Sequence, residues 1–191
     1  MCKKMRYVLV FLVFVVGLTT ATVSADISEG LLGYWPLDEG VGKTTADASG
    51  NGNEGIVNGD PNWVQGKLGT TLSFDGIDDY VYVGNDTSLD HGTGDFTISA
   101  WVKTTYAELD KDPTIFGKGG DDGGGIRYHL NIPGSTIEFL LDGDDDAGGK
   151  GKYNPGGSIA IIDSVWHHVV AYRKGLTLRV YLDGAEEMGV T

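Results

Sequence analysis

The chain has a single cysteine, Cys2, in 191 residues. An internal disulfide is therefore impossible, and the fold must rest on its packed core or on a bound metal. Basic side chains are also scarce. Lys and Arg number 14 against 27 Asp and Glu, for a formal net charge of −13. A field of that sign repels nucleic acid and anionic membrane surfaces, so neither is an expected partner. No segment carries a sustained helical period with caps, which argues against a helical domain. Glutamate is the rare acid, with 7 Glu to 20 Asp. Asp favours turns, caps and hard-cation sites, whereas Glu favours helices. Together with 31 Gly, this is the composition of a turn-rich β-protein and is compatible with calcium binding.

The one long apolar run is N-terminal. Lys3, Lys4 and Arg6 precede an apolar-plus-Gly stretch at 7–18, and residues 19–25 are small and polar, ending Val23, Ser24, Ala25. That order is the pattern of a secretory signal cleaved after Ala25. An uncleaved anchor is the alternative, because residues 7–25 carry no charge. Their Thr- and Ser-rich end suits a spanning helix poorly. Residues 1–25 are thus read as a signal and 26–191 as one domain, secreted or at the cell surface, with no membrane insertion after cleavage. Cleavage would also remove Cys2 and three basic residues, leaving a more acidic domain without cysteine.

Strand-like runs recur between clusters of Gly, Asp and Asn, at 31–37, 54–57, 70–74, 80–84, 96–103, 114–118, 126–132, 136–141, 158–162, 165–173, 177–182 and 187–190. Many short strands separated by turn signals predict an all-β antiparallel two-sheet sandwich or jelly roll. Residues 96–103, FTISAWVK, alternate cleanly. Phe96, Ile98, Ala100 and Val102 share one face; Thr97, Ser99, Trp101 and Lys103 share the other. Residues 164–184 read as a hairpin, with a turn at Lys174-Gly175 and an Asp-Gly turn at its end. Residues 119–125 and 142–157 are too rich in Gly and Asp to hold a ladder and read as loops.

Several of these segments fall in a recognisable order. They are GYWPLDE at 33–39, DASGNG at 47–52 with EGI at 54–56, LSFDGIDDYV at 72–81, FTISAWVK at 96–103, and WHHV at 166–169 with YLDG at 181–184. In that order they resemble the laminin-G-like jelly-roll domains of the concanavalin A-like lectin/glucanase superfamily. The resemblance implies that fold, and one of several roles, because the superfamily hosts lectins, enzymes and protein-binding modules. In that family further strands follow the Y-x-D-G pair, one of them returning beside the first. Here seven residues follow Gly184. The resemblance therefore implies a domain truncated at its C-terminus, with an exposed edge and a tendency to associate.

Glycosidase relatives resemble E-x-D-x-E on a strand, which sets the separation of two carboxylates. The nearest match is Glu108, Asp110 and Asp112, followed at once by Pro113 and placed in a loop, so no catalytic residue is assigned. His167 and His168 are adjacent, and on a strand adjacent side chains diverge, so they do not read as a metal pair. Residues 142–153 lack the Gly and the final acid of an EF-hand loop. The 47–52 loop is the better calcium candidate, because the resemblance implies a structural Ca²⁺ near it. Asp47, Asn51 and Asp38 are the candidate ligands, with an Asx-turn made by the same side chains as the alternative. Residues 85–87 match a glycosylation acceptor, which has meaning only in a eukaryotic source.

Carbohydrate binding needs an aromatic face with polar groups that orient hydroxyls. Alternation places Val165, His167, Val169, Ala171, Leu178, Val180 and Leu182 on one hairpin face, a core face. Trp166, His168, Val170, Tyr172, Thr177, Arg179, Tyr181 and Asp183 fall on the other, a mixed aromatic and polar face that either meets a sugar or is covered by a second layer or further strands. Trp166, His168, Tyr172, Arg179 and Tyr181 carry its aromatic and hydrogen-bonding groups. Those five are the candidate carbohydrate-binding residues. The chain is thus read as a non-catalytic module that binds carbohydrate or an extracellular protein. A polysaccharide-active glycoside hydrolase and a structural adhesion or spacer domain are the alternatives.

Overall fold

A computed structural model describes residues 7–12, 28–84, 87–92, 94–105, 113–119, 127–142 and 156–190. Fifteen strands are present among them: β1 Tyr7–Leu12, β2 Tyr34–Trp35, β3 Thr44–Thr45, β4 Gly55–Asn58, β5 Asn62–Gln65, β6 Thr70–Phe74, β7 Tyr80–Tyr82, β8 Phe96–Lys103, β9 Thr114–Lys118, β10 Arg127–Asn131, β11 Thr136–Asp142, β12 Gly156–Ala160, β13 His167–Lys174, β14 Thr177–Leu182 and β15 Ala185–Val190. The only helical element among the described residues is one 3-10 turn, Thr87–Leu89.

Three antiparallel sheets result. The largest runs β15-β14-β13-β8-β1-β6-β5, with β2 also paired to β1; the others are β12-β11-β10-β9 and β3-β4-β7. The inner face of the large sheet carries Phe96, Ile98, Ala100 and Val102 from β8, with Val169, Ala171, Leu178, Val180 and Leu182 from β13 and β14. These pack in one core with Tyr128, Leu130, Ile137, Phe139 and Leu141 from the four-stranded sheet. Phe96 meets Phe139 edge-on, with ring centroids 5.9 Å apart, an arrangement that aromatic quadrupoles favour. This is the all-β sandwich that the alternation predicts, in keeping with the concanavalin A-like type that the resemblance implies.

The hairpin shows why the sequence folds locally as it does. Val169↔Leu182 through Lys174↔Thr177 are paired, so the two-residue turn is Gly175-Leu176 and Lys174 is the last strand residue. Gly175 has φ 58°, a region glycine enters without strain. The next turn, Asp183-Gly184, has positive φ at both residues (50° and 84°). That is the type I′ pattern whose twist matches the flanking strands.

The core-face assignment needs one correction. Val165 is 55 % exposed, and His167 is only half-buried at the rim. The chain turns at Ser164, where φ is 68°, and β13 begins only at His167. Alternation cannot be extended back through that bend.

Three strands were not anticipated: β1, β3 and β5. The most consequential is β1, which comes from the apolar stretch read as the core of a signal. It sits between β8 and β6, with Val8↔Lys103 to Leu12↔Ser99 on one side and Tyr7↔Phe74 to Leu9↔Leu72 on the other. Of the two predicted loops, residues 120–125 and 143–155 lie outside the described residues, as do the acids Glu108, Asp110 and Asp112. The glycosylation match at 85–87 does so in part. The predicted loop ends are corrected, since Asp142 closes β11 and residues 156–157 open β12.

Candidate functional site

The outer face of β8, β13 and β14 gathers the hairpin residues singled out from sequence. His168 lies opposite Trp101, Tyr172 opposite both Thr97 and Arg179, and Val170 opposite Tyr181. His168, Tyr172, Arg179 and Tyr181 are all half-buried, as is Trp166 just ahead of β13. Among the described residues no layer covers them fully, and none of the five projects freely.

Two groupings form on this face. In the first, the Tyr172 and Tyr181 rings stack at 6.1 Å with 21° between planes. Tyr181 Oη donates to Glu186 Oε2 at 3.0 Å, and Arg179 Nη1 lies 3.3 Å from Glu186 Oε1. One carboxylate of β15 thus orients a phenol and a guanidinium beside an aromatic pair. In the second, His168 Nε2 is 2.8 Å from Ser99 Oγ, and its ring lies 5.0 Å from that of Trp101. Lys67 Nζ stands 4.7 Å over the Trp101 ring, a cation–π contact. Ser99, Trp101, Lys67 and Glu186 are additions to the sequence-derived set. Ser99 and His168 are 69 residues apart, and no local pattern joins them.

The two adjacent histidines do point apart. His167 is held by Asp183 Oδ2 at 2.7 Å from Nδ1 and by Asp163 Oδ1 at 3.2 Å from Nε2. Asp183 also accepts the His168 backbone N–H at 2.8 Å, which locks the turn to the start of β13. Burial opposes charge on His167, but hydrogen bonds and attraction from Asp183 and Asp163 outweigh it and raise its pKa. Burial lowers His168, against a weaker pull from Asp183. Burial also lowers His91, which stacks on Phe96 with ring centroids 4.6 Å apart.

These shifts fix a pH dependence. A raised histidine stabilises the fold below its unfolded value of about 6.5, and that contribution is lost as pH climbs through the folded value. A lowered histidine does the reverse, and its contribution is lost as pH falls through its folded value. Across the histidine range, stability is therefore expected to peak near pH 6.5, with His167 setting the alkaline limb and His168 and His91 the acid limb. Urea midpoints measured between pH 5 and 8 check this. His167→Gln should flatten the alkaline limb alone, and an unchanged limb would refute the assignment.

The calcium candidates occupy separate settings. Asp47 Oδ1 accepts from the Tyr34 and Ser49 N–H groups, both at 2.9 Å, and Oδ2 from the Asn53 N–H at 3.0 Å. Burial tends to raise the Asp47 pKa, but bonds from Ser49, Tyr34 and Asn53 outweigh it and hold the carboxyl below its ordinary value. Asn51 donates to the carbonyls of Leu31 and Leu32, and Asp38 Oδ1 accepts from Thr70 N at 2.8 Å. This geometry is an Asx-turn tied into the opening strand. Three backbone N–H groups and the Ser49 side chain together account for the roughly four lone-pair sites of Asp47.

Among the described residues one acidic set, Asp75, Asp78 and Asp79, brings its carboxylate oxygens within 4.8 Å of one another. Asp79 accepts the backbone N–H groups of Asp60 and Asp75, so two of its oxygens already serve that turn.

Comparison with known proteins adds one finding. A laminin-G profile, described as the concanavalin A-like lectin/glucanases superfamily, matches residues 75–191. No curated protein and no solved structure matches the chain.

Proposed function

From a chain that belongs to the concanavalin A-like lectin/glucanases superfamily, we propose a non-catalytic recognition module whose ligand is carbohydrate. The observation that carries this reading is the Tyr172–Tyr181 stack flanked by Arg179 and Glu186. Stacked rings offer an apolar surface to a sugar face, and the ion pair offers donors and acceptors to its hydroxyls. The strands beneath are paired on both sides, which supplies the rigidity such a site needs. His168 and Trp166 extend the same face toward the start of β13.

Domains of this type generally bind carbohydrate or protein and are typically extracellular. Among the described residues no helix is long and apolar enough to cross a membrane. Secretion or surface display guided by residues 1–25 completes the proposal, and it requires either that the segment is retained or that β1 is given up from the sheet. An extracellular protein is the second ligand class, favoured by the half-buried apolar character of Val170 within the face and of Trp166 at its β13 end. A Ca²⁺ ion at Asp47, with Asn51 and Asp38 as the other candidate ligands, belongs to the same proposal and would have to displace hydrogen bonds that these residues now make. Titration with a chelator, followed by the thermal midpoint, reports on it.

The test of the site is a glycan array run with wild type and a Tyr172→Ala/Tyr181→Ala variant. Loss of both rings is expected to weaken the best glycan signals about tenfold or more, since each aromatic contact contributes roughly 0.5–1.5 kcal/mol beyond its buried area. A folded variant that binds the same glycans equally well would remove this face from consideration. A reducing-sugar assay on the retained glycans is expected to show no turnover.

A further inference from the structure

The small β3-β4-β7 sheet carries a second aromatic surface that no part of the sequence reading singled out. Its inner positions are packed: Gly55 is buried, Val57 is 4 % exposed, and Val81 rests on the core. Its outer positions are the opposite. Ile56, Tyr80 and Tyr82 are 53 %, 54 % and 51 % exposed. Register makes them one surface, with Ile56↔Tyr82 and Asn58↔Tyr80 paired across the strands and Thr44 opposite Ile56. Large apolar groups at half exposure, side by side on a paired frame, are costly to leave in water without a use.

We propose that this face is a separate binding site for a neutral oligosaccharide chain. Tyr80 and Tyr82 are two residues apart on one strand, so they stand about 6.5–7 Å apart. That spacing presents two rings in line to successive rings of a glycan. Polar groups lie at both ends of the line. Asn58 stands beside Tyr80, with its Nδ2 on the Ile56 carbonyl at 3.0 Å. Beyond Tyr82, an open depression of about 460 Å³ is lined by Gly52, Asn53, Glu54, Ile56, Tyr82 and Gly84, among others. A Cβ at Gly52 or Gly84 would meet nothing within 4 Å, so the backbone there is open to approach.

The surrounding charge selects against an anionic ligand. Glu54 borders the depression, and Asp60 and Asp79 lie at the other end, joined by the Asp60 N–H to Asp79 Oδ1 bond of 2.8 Å. Lys43 is already engaged by Asp60 at 2.7 Å and by the Gly59 carbonyl. A uronic acid or sulfated chain would meet acids with little counter-charge. A neutral chain meets rings, an amide and acceptor carboxylates. The inference takes its ligand class from the carbohydrate reading but not its site.

Affinity electrophoresis separates the two. The full chain, Tyr80→Ala/Tyr82→Ala, Tyr172→Ala/Tyr181→Ala and a milder Ile56→Glu variant would be run through native gels containing mixed-linkage β-glucan, xylan, galactomannan or polygalacturonate. Retardation of wild type by at least one neutral polysaccharide is expected. It should fall about tenfold in Tyr80→Ala/Tyr82→Ala, and also in Ile56→Glu should the double variant fail to fold. Retardation that is lost only in Tyr172→Ala/Tyr181→Ala overturns this second site and leaves the first intact. Retardation by polygalacturonate alone overturns it as well. Wild type that no polysaccharide retards overturns both, and a protein partner then becomes the reading of both faces.

Discussion

Replacing Trp35 with alanine is expected to remove about 3–5 kcal/mol of folding stability. The ring is 2 % exposed, in the shared core, and lies 6.4 Å from Phe116. Its truncation leaves a large cavity that a paired strand cannot collapse to fill. A second loss is polar. Trp35 Nε1 donates to the Asn53 carbonyl at 2.6 Å in a buried setting. Asn53 is itself 3 % exposed, with Nδ2 on the Leu32 carbonyl at 2.9 Å and Oδ1 accepting from Ser88 at 3.0 Å. Orphaning that carbonyl adds about 1 kcal/mol or more. A Trp35→Phe variant keeps much of the packing and should show chiefly the polar loss. Urea unfolding at constant m-value measures both, and a loss for alanine below about 1 kcal/mol would contradict the packing described here.

Comparable in size is the expected effect of starting the chain at Asp26. That form lacks β1 and therefore the ladders to β8 and β6. The register pairs number five on one side and three on the other. At about 0.5–1.5 kcal/mol per net backbone hydrogen bond, the loss is on the order of 5 kcal/mol before side-chain packing. It also bares two facing strand edges in the middle of the large sheet, the arrangement most prone to pairing with another chain. The expected result is a thermal midpoint lower by roughly 10 °C or more, with association in sedimentation velocity. A monomer that melts with the full chain would show that β8 and β6 do not depend on β1.

Much of the site's frame is legible in the residues themselves. Alternation along Phe96–Lys103 names the buried and outer faces of β8, and the same period divides β13 and β14. Asp183-Gly184 announces its own turn, because few pairs accept positive φ at both positions. What was not legible has physical reasons. A continuous apolar run reads alike as a leader and as a strand, so β1 is invisible to periodicity. Asn62–Gln65 is four residues long and mixed in character, too short to show a period. The exposure of Tyr80 and Tyr82 depends on what lies above the sheet, which alternation does not report. The contacts of Ser99 with His168, and of Lys67 with Trp101, exist only once distant strands are neighbours.

The position of β1 also sets a clock. Among the described strands it precedes all its partners; β2 can pair with it early, but its places against β6 and β8 exist only once Phe74 and Lys103 have been made. Non-local pairing of that kind is slow, because loop-closure entropy is spent before the contacts return it. Throughout that delay most of this apolar segment has no sheet partner and is open to any machinery that recognises one. Capture during synthesis and insertion into the sheet are thus competing fates for the same six residues. The faster of the two decides whether the domain closes around its own N-terminus.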